Sequence, residues 1–223
     1  MIISLHEAGI GSGLGAAIPP LTVTITDGQP TVIAVETDER PMLVSMLIGG
    51  RVRAESGRVS IDGQDDAAAL REATALVDTP FVSEPPAGVA LATIVREELS
   101  FSDRPTSRGA VETFLRTHML SDYAKLPVRS LPPTDRIRVF SELALLRRGV
   151  RCIVVTSPER HGADPSEWYS TLTDIAERGT LVVVVTDALT RNYLLSIGAQ
   201  DGSAPPPEVE TPPTEAPLES SQS

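Results

Sequence analysis

The sequence predicts an α/β fold built on a parallel sheet with helices on both faces, a helical insertion in the middle and a β-rich N-terminal portion. Three observations carry that reading. Two runs, Cys152-Ile153-Val154-Val155-Thr156 and Leu181-Val182-Val183-Val184-Val185-Thr186, are apolar at every position before a closing threonine. A strand that is apolar throughout, instead of at every second residue, is buried on both faces, as in a parallel sheet covered by helices. Each run is also preceded by a segment of helical spacing, residues 134–148 and 168–178, as parallel strands joined by crossover helices require. Finally, 223 residues suit one such domain with a sizeable core, and not two.

The elements follow in order. Residues 1–5 (MIISL) and 21–25 (LTVTI) read as strands, and Asp27-Gly28 marks a turn before a third, 31–35 (TVIAV). Residues 41–50 (PMLVSMLIGG) read as a helix stopped by Gly49-Gly50. A second helix is predicted over 65–77 (DDAAALREATALV), followed by a short strand, TPFVS, at 79–83. Two helical segments come next, around 89–99 and 110–120. Pro132-Pro133 and Gly149 bound the helix at 134–148, which gathers Ile137, Phe140, Ala144 and Leu146 near one face. The α/β domain is predicted to span residues 1–200, with the helical part at about 85–135. Residues 201–223 are rich in Pro, Glu and Ser with almost nothing to bury, which predicts a disordered acidic tail.

Composition excludes several functions. The formal net charge is −11 and the basic residues are scattered, which argues against nucleic-acid binding. Cys152 is the single cysteine, in an apolar run, so it reads as a buried thiol and offers neither a disulfide nor a cysteine-ligated metal site. His6, His118 and His161 are too far apart in sequence to form a recognised ligand pair. No signal peptide or membrane-length apolar run is visible, so the expected location is the cytoplasm. Gly11-Ser12-Gly13-Leu14-Gly15-Ala16 matches a dinucleotide fingerprint on paper, but Pro19-Pro20 leaves no room for the helix it needs. Ser157, His161 and Asp164 have the residue types of a catalytic triad without the nucleophile-elbow context. Trp168 and Tyr169 read as packing residues.

The chemistry turns on the loop after the third strand, Glu36-Thr37-Asp38-Glu39-Arg40-Pro41-Met42. A phosphate-binding loop, G-x-x-x-x-G-K-[ST], turns backbone N–H groups inward through its glycines, reaches the phosphates with lysine and holds Mg²⁺ with a hydroxyl. This loop has no glycine and three carboxylates. Arg40 stands where the lysine belongs, Pro41 has no N–H and Met42 has no hydroxyl. Asp38 or Glu39 is expected to cap the following helix at its positive pole. Arg40 is the one candidate contact for a phosphate, as a planar fork and not as a point charge.

From Leu21 to Gly63 the order is strand, glycine turn, strand, loop, helix, glycine pair and a strand closing on Asp62-Gly63. With the segments that follow, it resembles the ATPase subunits of ABC transporters over about Leu21 to Leu195. The resemblance places Ser83 at the glutamine of the Q-loop. It places Leu131-Pro132-Pro133-Thr134-Asp135-Arg136 at the signature L-S-G-G-Q-R, with Arg138 retained in the helix after it. Thr156 and Ser157 fall at the two acidic positions that close the Walker B strand. Asp164 falls at the D-loop aspartate, and Asp187 at the switch histidine. Threonine supplies no carboxylate for Mg²⁺, and serine is no base toward water at neutral pH.

The resemblance thus implies an ABC ATPase-like, P-loop NTPase-like fold without the family's catalytic residues. The expected role is a catalytically silent partner or regulator of a transport complex, peripheral at the inner face of the membrane. Its partners would be a competent ATPase or a membrane permease, as a homodimer or heterodimer. The expected docking surface is the groove near Ser83, Glu84, Val95 and Glu97. No cofactor is expected, ATP being the one candidate through Arg40. The alternative reading is a stand-alone α/β adaptor or scaffold that binds no nucleotide.

Overall fold

The two uninterrupted apolar runs form β6 (Cys152–Thr156) and β7 (Leu181–Thr186), buried at every position at the centre of the main sheet. In the computed structural model, which describes residues 1–35 and 39–202, they are flanked by β5 (Thr74–Val77) and β3 (Thr31–Ala34). A short edge strand, β8 (Gln200–Asp201), completes the order β5-β6-β7-β3-β8, in which every pairing is parallel. Alternate residues of each central strand serve different cores. Ile153, Val155, Val182 and Val184 join one cluster, and Cys152, Val154, Val183 and Val185 the other. That is why neither strand tolerates a polar position.

The first cluster is roofed by α3 (Leu91–Phe101), α4 (Arg108–Thr117), α5 (Pro133–Leu145) and α6 (Pro165–Ala176). The second lies between the main sheet, α1 (Arg40–Ile48) and an antiparallel sheet of order β2-β1-β4. Its strands are β1 (Ile3–Ile10), β2 (Ile18–Ile25) and β4 (Ser56–Ile61). Pro19 and Pro20 fall in β2, at an edge of that sheet, where a missing N–H breaks no ladder on the open side. Gly13–Gly15 forms one 3₁₀ turn and opens no α-helix. Cys152 is fully buried, and burial pushes its thiol up to about 12, so it is the inert core residue anticipated.

One segment departs from expectation. The helix predicted over 65–77 ends early: α2 covers Ala67–Ala73, and Thr74–Val77 is β5. Leu70 and Ala73 meet the core at helical spacing, whereas all four residues from Thr74 to Val77 are buried and pair with Cys152 to Val155. Tertiary pairing overrode the local helical pattern. The strand expected at 79–83 is a turn in which Phe81 is 95% exposed with φ +60°.

Gly57 carries a conformational requirement that can be measured. Its φ is +65°, and a Cβ there would lie 2.2 Å from the carbonyl oxygens of both His6 and Glu7, where the β1–β4 register shifts. Gly57→Ala is therefore expected to destabilise the protein by about 2–3 kcal/mol, read as a lower urea midpoint, because both the left-handed backbone and the clash are backbone terms. An unchanged midpoint would contradict the packing of β1 on β4. Among the described residues no helix is long and apolar enough to cross a membrane.

Candidate functional site

The carboxyl ends of β3, β5, β6 and β7 and the start of α1 converge on one region, the usual ligand crevice of an open α/β sheet. At its floor three hydroxyls form a chain. Thr156 Oγ1, the last residue of β6, lies 2.7 Å from Ser45 Oγ on α1 and 2.8 Å from Thr79 Oγ1 just beyond β5. Ser45 Oγ also reaches the Pro41 carbonyl at 2.8 Å, the bond a helical serine makes to the residue four before it. All three hydroxyl residues are at most 1% exposed. At the end of β7, Thr186 Oγ1 donates to Glu159 Oε2 at 2.6 Å. Burial pushes the Glu159 carboxyl above its ordinary range, against the pull of that hydroxyl.

Beside the hydroxyls lies a buried charge cluster centred on Asp78, the first residue after β5. Arg136, on the first turn of α5, grips it with Nε to Oδ2 at 2.8 Å and Nη2 to Oδ1 at 2.7 Å. From the turn after β6, Arg160 donates to the Asp78 carbonyl at 2.5 Å and lies 3.2 Å from Oδ1. His161 Nε2 sits 2.6 Å from Oδ2. Glu84 balances the outer side, 3.4 Å from Arg160 and 3.9 Å from Arg136. The Asp78 side chain is 2% exposed. Burial alone would raise its carboxyl, but the adjoining His161 and Arg136 outweigh burial and hold it well below the usual carboxylate range.

The other anticipated residues have structural duties here. Arg40 Nη2 donates to the Ala16 carbonyl at 3.2 Å. Glu39 occupies the N-cap position of α1 without a side-chain capping bond, and Asp38, the other residue expected to cap it, lies outside the described residues. Pro41 is in the first turn of α1, and Met42 is one residue further on. Ser83 Oγ accepts from the Thr79 N–H at 3.1 Å, so the hydroxyl that reaches Thr156 belongs to Thr79. Pro132 and Pro133 open α5. Arg138 binds the His118 carbonyl and Asp135. Ser157 has φ +48° and starts the turn that carries Arg160 and His161. Asp164 caps α6, and Asp187 caps α7 (Ala188–Ser196) through the Thr190 N–H at 2.7 Å. Ser157, His161 and Asp164 therefore serve three separate purposes. Among the described residues, no group of His, Cys, Asp and Glu is placed to hold a metal ion.

Sequence reasoning missed Ser45, Thr79, Asp78 and Arg160. The usable signal was the polar residue directly beyond each apolar strand: Asp78-Thr79 after β5 and Ser157 after β6.

A cavity of about 180 Å³ lies between β5, α3 and α5. Leu76, Ile94, Phe140 and Leu143 give it an apolar lining, and Ser83, Glu84 and Glu97 are on it, with Phe101 exposed beside them. Val95 is not: it points into the core and is 0% exposed, because α3 turns its 91, 94, 95 and 99 positions inward.

No family model matches the chain. Among curated proteins, the biotin transport ATP-binding protein BioM of Rhizobium etli is 30% identical over 114 residues, 50% of this chain and 49% of BioM. The match thus spans about half the length of that relative. Among solved structures, a nucleotide-free ATP-binding cassette from an ABC transporter superposes with a TM-score of 0.64 at 17% identity, over 87% of this chain and 84% of the other. A dimeric bacterial ABC transporter cassette gives 0.63 at 18% identity, over 86% and 90%. CbiO1 of Clostridium perfringens, part of the ABC transporter complex cbiONQ, gives 0.59 at 16%, over 83% and 77%. The chain therefore has the fold of an ABC ATP-binding cassette, a P-loop NTPase-like parallel sheet covered by helices.

Proposed function

We propose that this protein is a non-hydrolysing, ATP-binding-like component of an ABC-type membrane transport complex, acting as partner or regulator of a competent ATPase and docking on a membrane permease. The observation that carries the reading is the Ser45–Thr156–Thr79 chain. It fills the base of the crevice with neutral, mutually satisfied hydroxyls at the position where the resemblance calls for a metal-binding carboxylate. The residues present fit Mg-nucleotide poorly: Glu39 brings a negative charge to the head of α1, Pro41 offers no N–H, and Arg40 is already engaged by the Ala16 carbonyl. Glu159 is engaged by the Thr186 hydroxyl, and Asp187 caps α7.

The transport context rests on the cassette fold, on the partial likeness to a biotin transport ATP-binding protein and on the groove lined by Ser83, Glu84 and Glu97. That apolar slot suits a short helix from the permease. Purified protein is expected to release no phosphate from ATP above a protein-free control. Calorimetric titration with ATP, with and without Mg²⁺, is expected to give no heat beyond dilution. Turnover that follows the protein through successive purification steps would overturn the reading. Micromolar binding lost in Arg40→Ala would replace it with a nucleotide sensor.

A further inference from the structure

A second pocket, of about 340 Å³, opens between the end of α1, β4 and the start of α2, away from the strand ends described above. Leu47, Val59 and Leu70 back it from the core, Val52 is half-buried at its surface, and it carries two arginines, Arg53 and Arg58, both exposed. Neither arginine side chain makes a hydrogen bond or ion pair with any described residue, and Asp65 is the only carboxylate among the described residues on the lining. By contrast, the arginine on the groove beside β5, Arg147, is already held by Glu98 at 2.7 Å. Two guanidinium groups without a side-chain partner, beside the half-buried Val52, call for an acidic ligand.

The chain itself contains such a ligand. Residues 203–223 hold Glu208, Glu210, Glu215 and Glu219, no basic residue, and the apolar Val209 and Leu218 beside those glutamates. Reach does not forbid the contact. Twelve residues separate Gly202 from Thr214, roughly 37 Å at about 3.1 Å per residue, against a radius of gyration of about 16 Å for a fold of this size.

We propose that the acidic segment 203–223 docks in this pocket of its own chain, with its glutamates on Arg53 and Arg58 and Val209 or Leu218 against Val52. The contact covers two exposed arginines in an otherwise acidic protein, and salt or a more acidic partner displaces it.

The test uses the full chain with Thr214→Cys carrying a nitroxide, since the buried Cys152 thiol leaves the new cysteine as the reactive one. At low salt, amide signals of Gly57, Arg58 and Ala67 are expected to lose most of their intensity relative to the reduced label. The loss should vanish in Arg53→Glu/Arg58→Glu and shrink at about 0.5 M salt, where the screening length falls to a few ångströms. No loss at the pocket, or a loss unchanged by charge reversal, would overturn the proposal. Broadening that appears when spin-labelled and isotope-labelled molecules are mixed would assign the segment to a second copy and equally overturn it.

Discussion

Asp78→Ala is expected to lower folding stability by about 3–5 kcal/mol, because it leaves Arg136 buried without its partner. Arg136 is 5% exposed, and its Nε and Nη2 both donate to the Asp78 carboxylate. His161 and Arg160 lose the same carboxylate, although Arg160 keeps its bond to the Asp78 carbonyl, so the first turn of α5 is affected most directly. The double variant Asp78→Leu/Arg136→Leu should recover much of the loss, since two apolar groups need no compensating charge. Urea denaturation of the three proteins measures this. A single variant as stable as the parent would mean that the cluster holds nothing.

The same residue sets a pH dependence. Asp78 titrates below the usual carboxylate range when folded and near its ordinary value of 3.8 when unfolded. Its contribution is therefore complete at neutral pH and is lost as pH falls below about 4 toward the depressed folded value. Asp78→Asn should flatten the acid limb of the stability curve, whereas a structural role independent of charge would leave that limb unchanged.

The second large effect is expected at Trp168. It is the single tryptophan and is 0% exposed, packed in the cluster between α5, α6 and the main sheet. Trp168→Ala should cost about 3–5 kcal/mol through lost burial and the cavity left behind. Among the described residues its Nε1–H has no acceptor, so the indole is held by packing and not by a polar bond. Trp168→Phe should accordingly cost only about 1–1.5 kcal/mol. Circular dichroism during urea unfolding separates the two. Equal losses would mean that the indole N–H finds a partner.

Much of the fold was legible because burial writes itself into composition. Cys152–Thr156 and Leu181–Thr186 have no polar interruption, and only a strand covered on both faces selects such a run. The Pro132-Pro133 entrance is equally local, since it acts within one turn of the residues that cause it. Residues 65–77 failed for the converse reason. DDAAALREATALV satisfies helical spacing to its end, and nothing within it reports that Thr74 to Val77 will find β6 as a partner.

The site divides along the same line. By itself the sequence determined residue identities: no glycine in residues 36–42, an arginine at 40, and no carboxylate at Thr156 or Ser157. The charge or N–H that a residue lacks is absent in any fold. Which groups meet at the strand ends was decided only by tertiary structure. Ser45, Thr79 and Thr156 are separated by up to 111 positions, as are Asp78, Arg136 and Arg160 by up to 82, and each set meets only where the parallel strands end side by side. A hydroxyl or a guanidinium carries no mark of its partner in sequence. The partner is chosen by the sheet order that brings β5, β6 and the head of α5 together, and by the desolvation that makes any unpaired charge there too costly to keep.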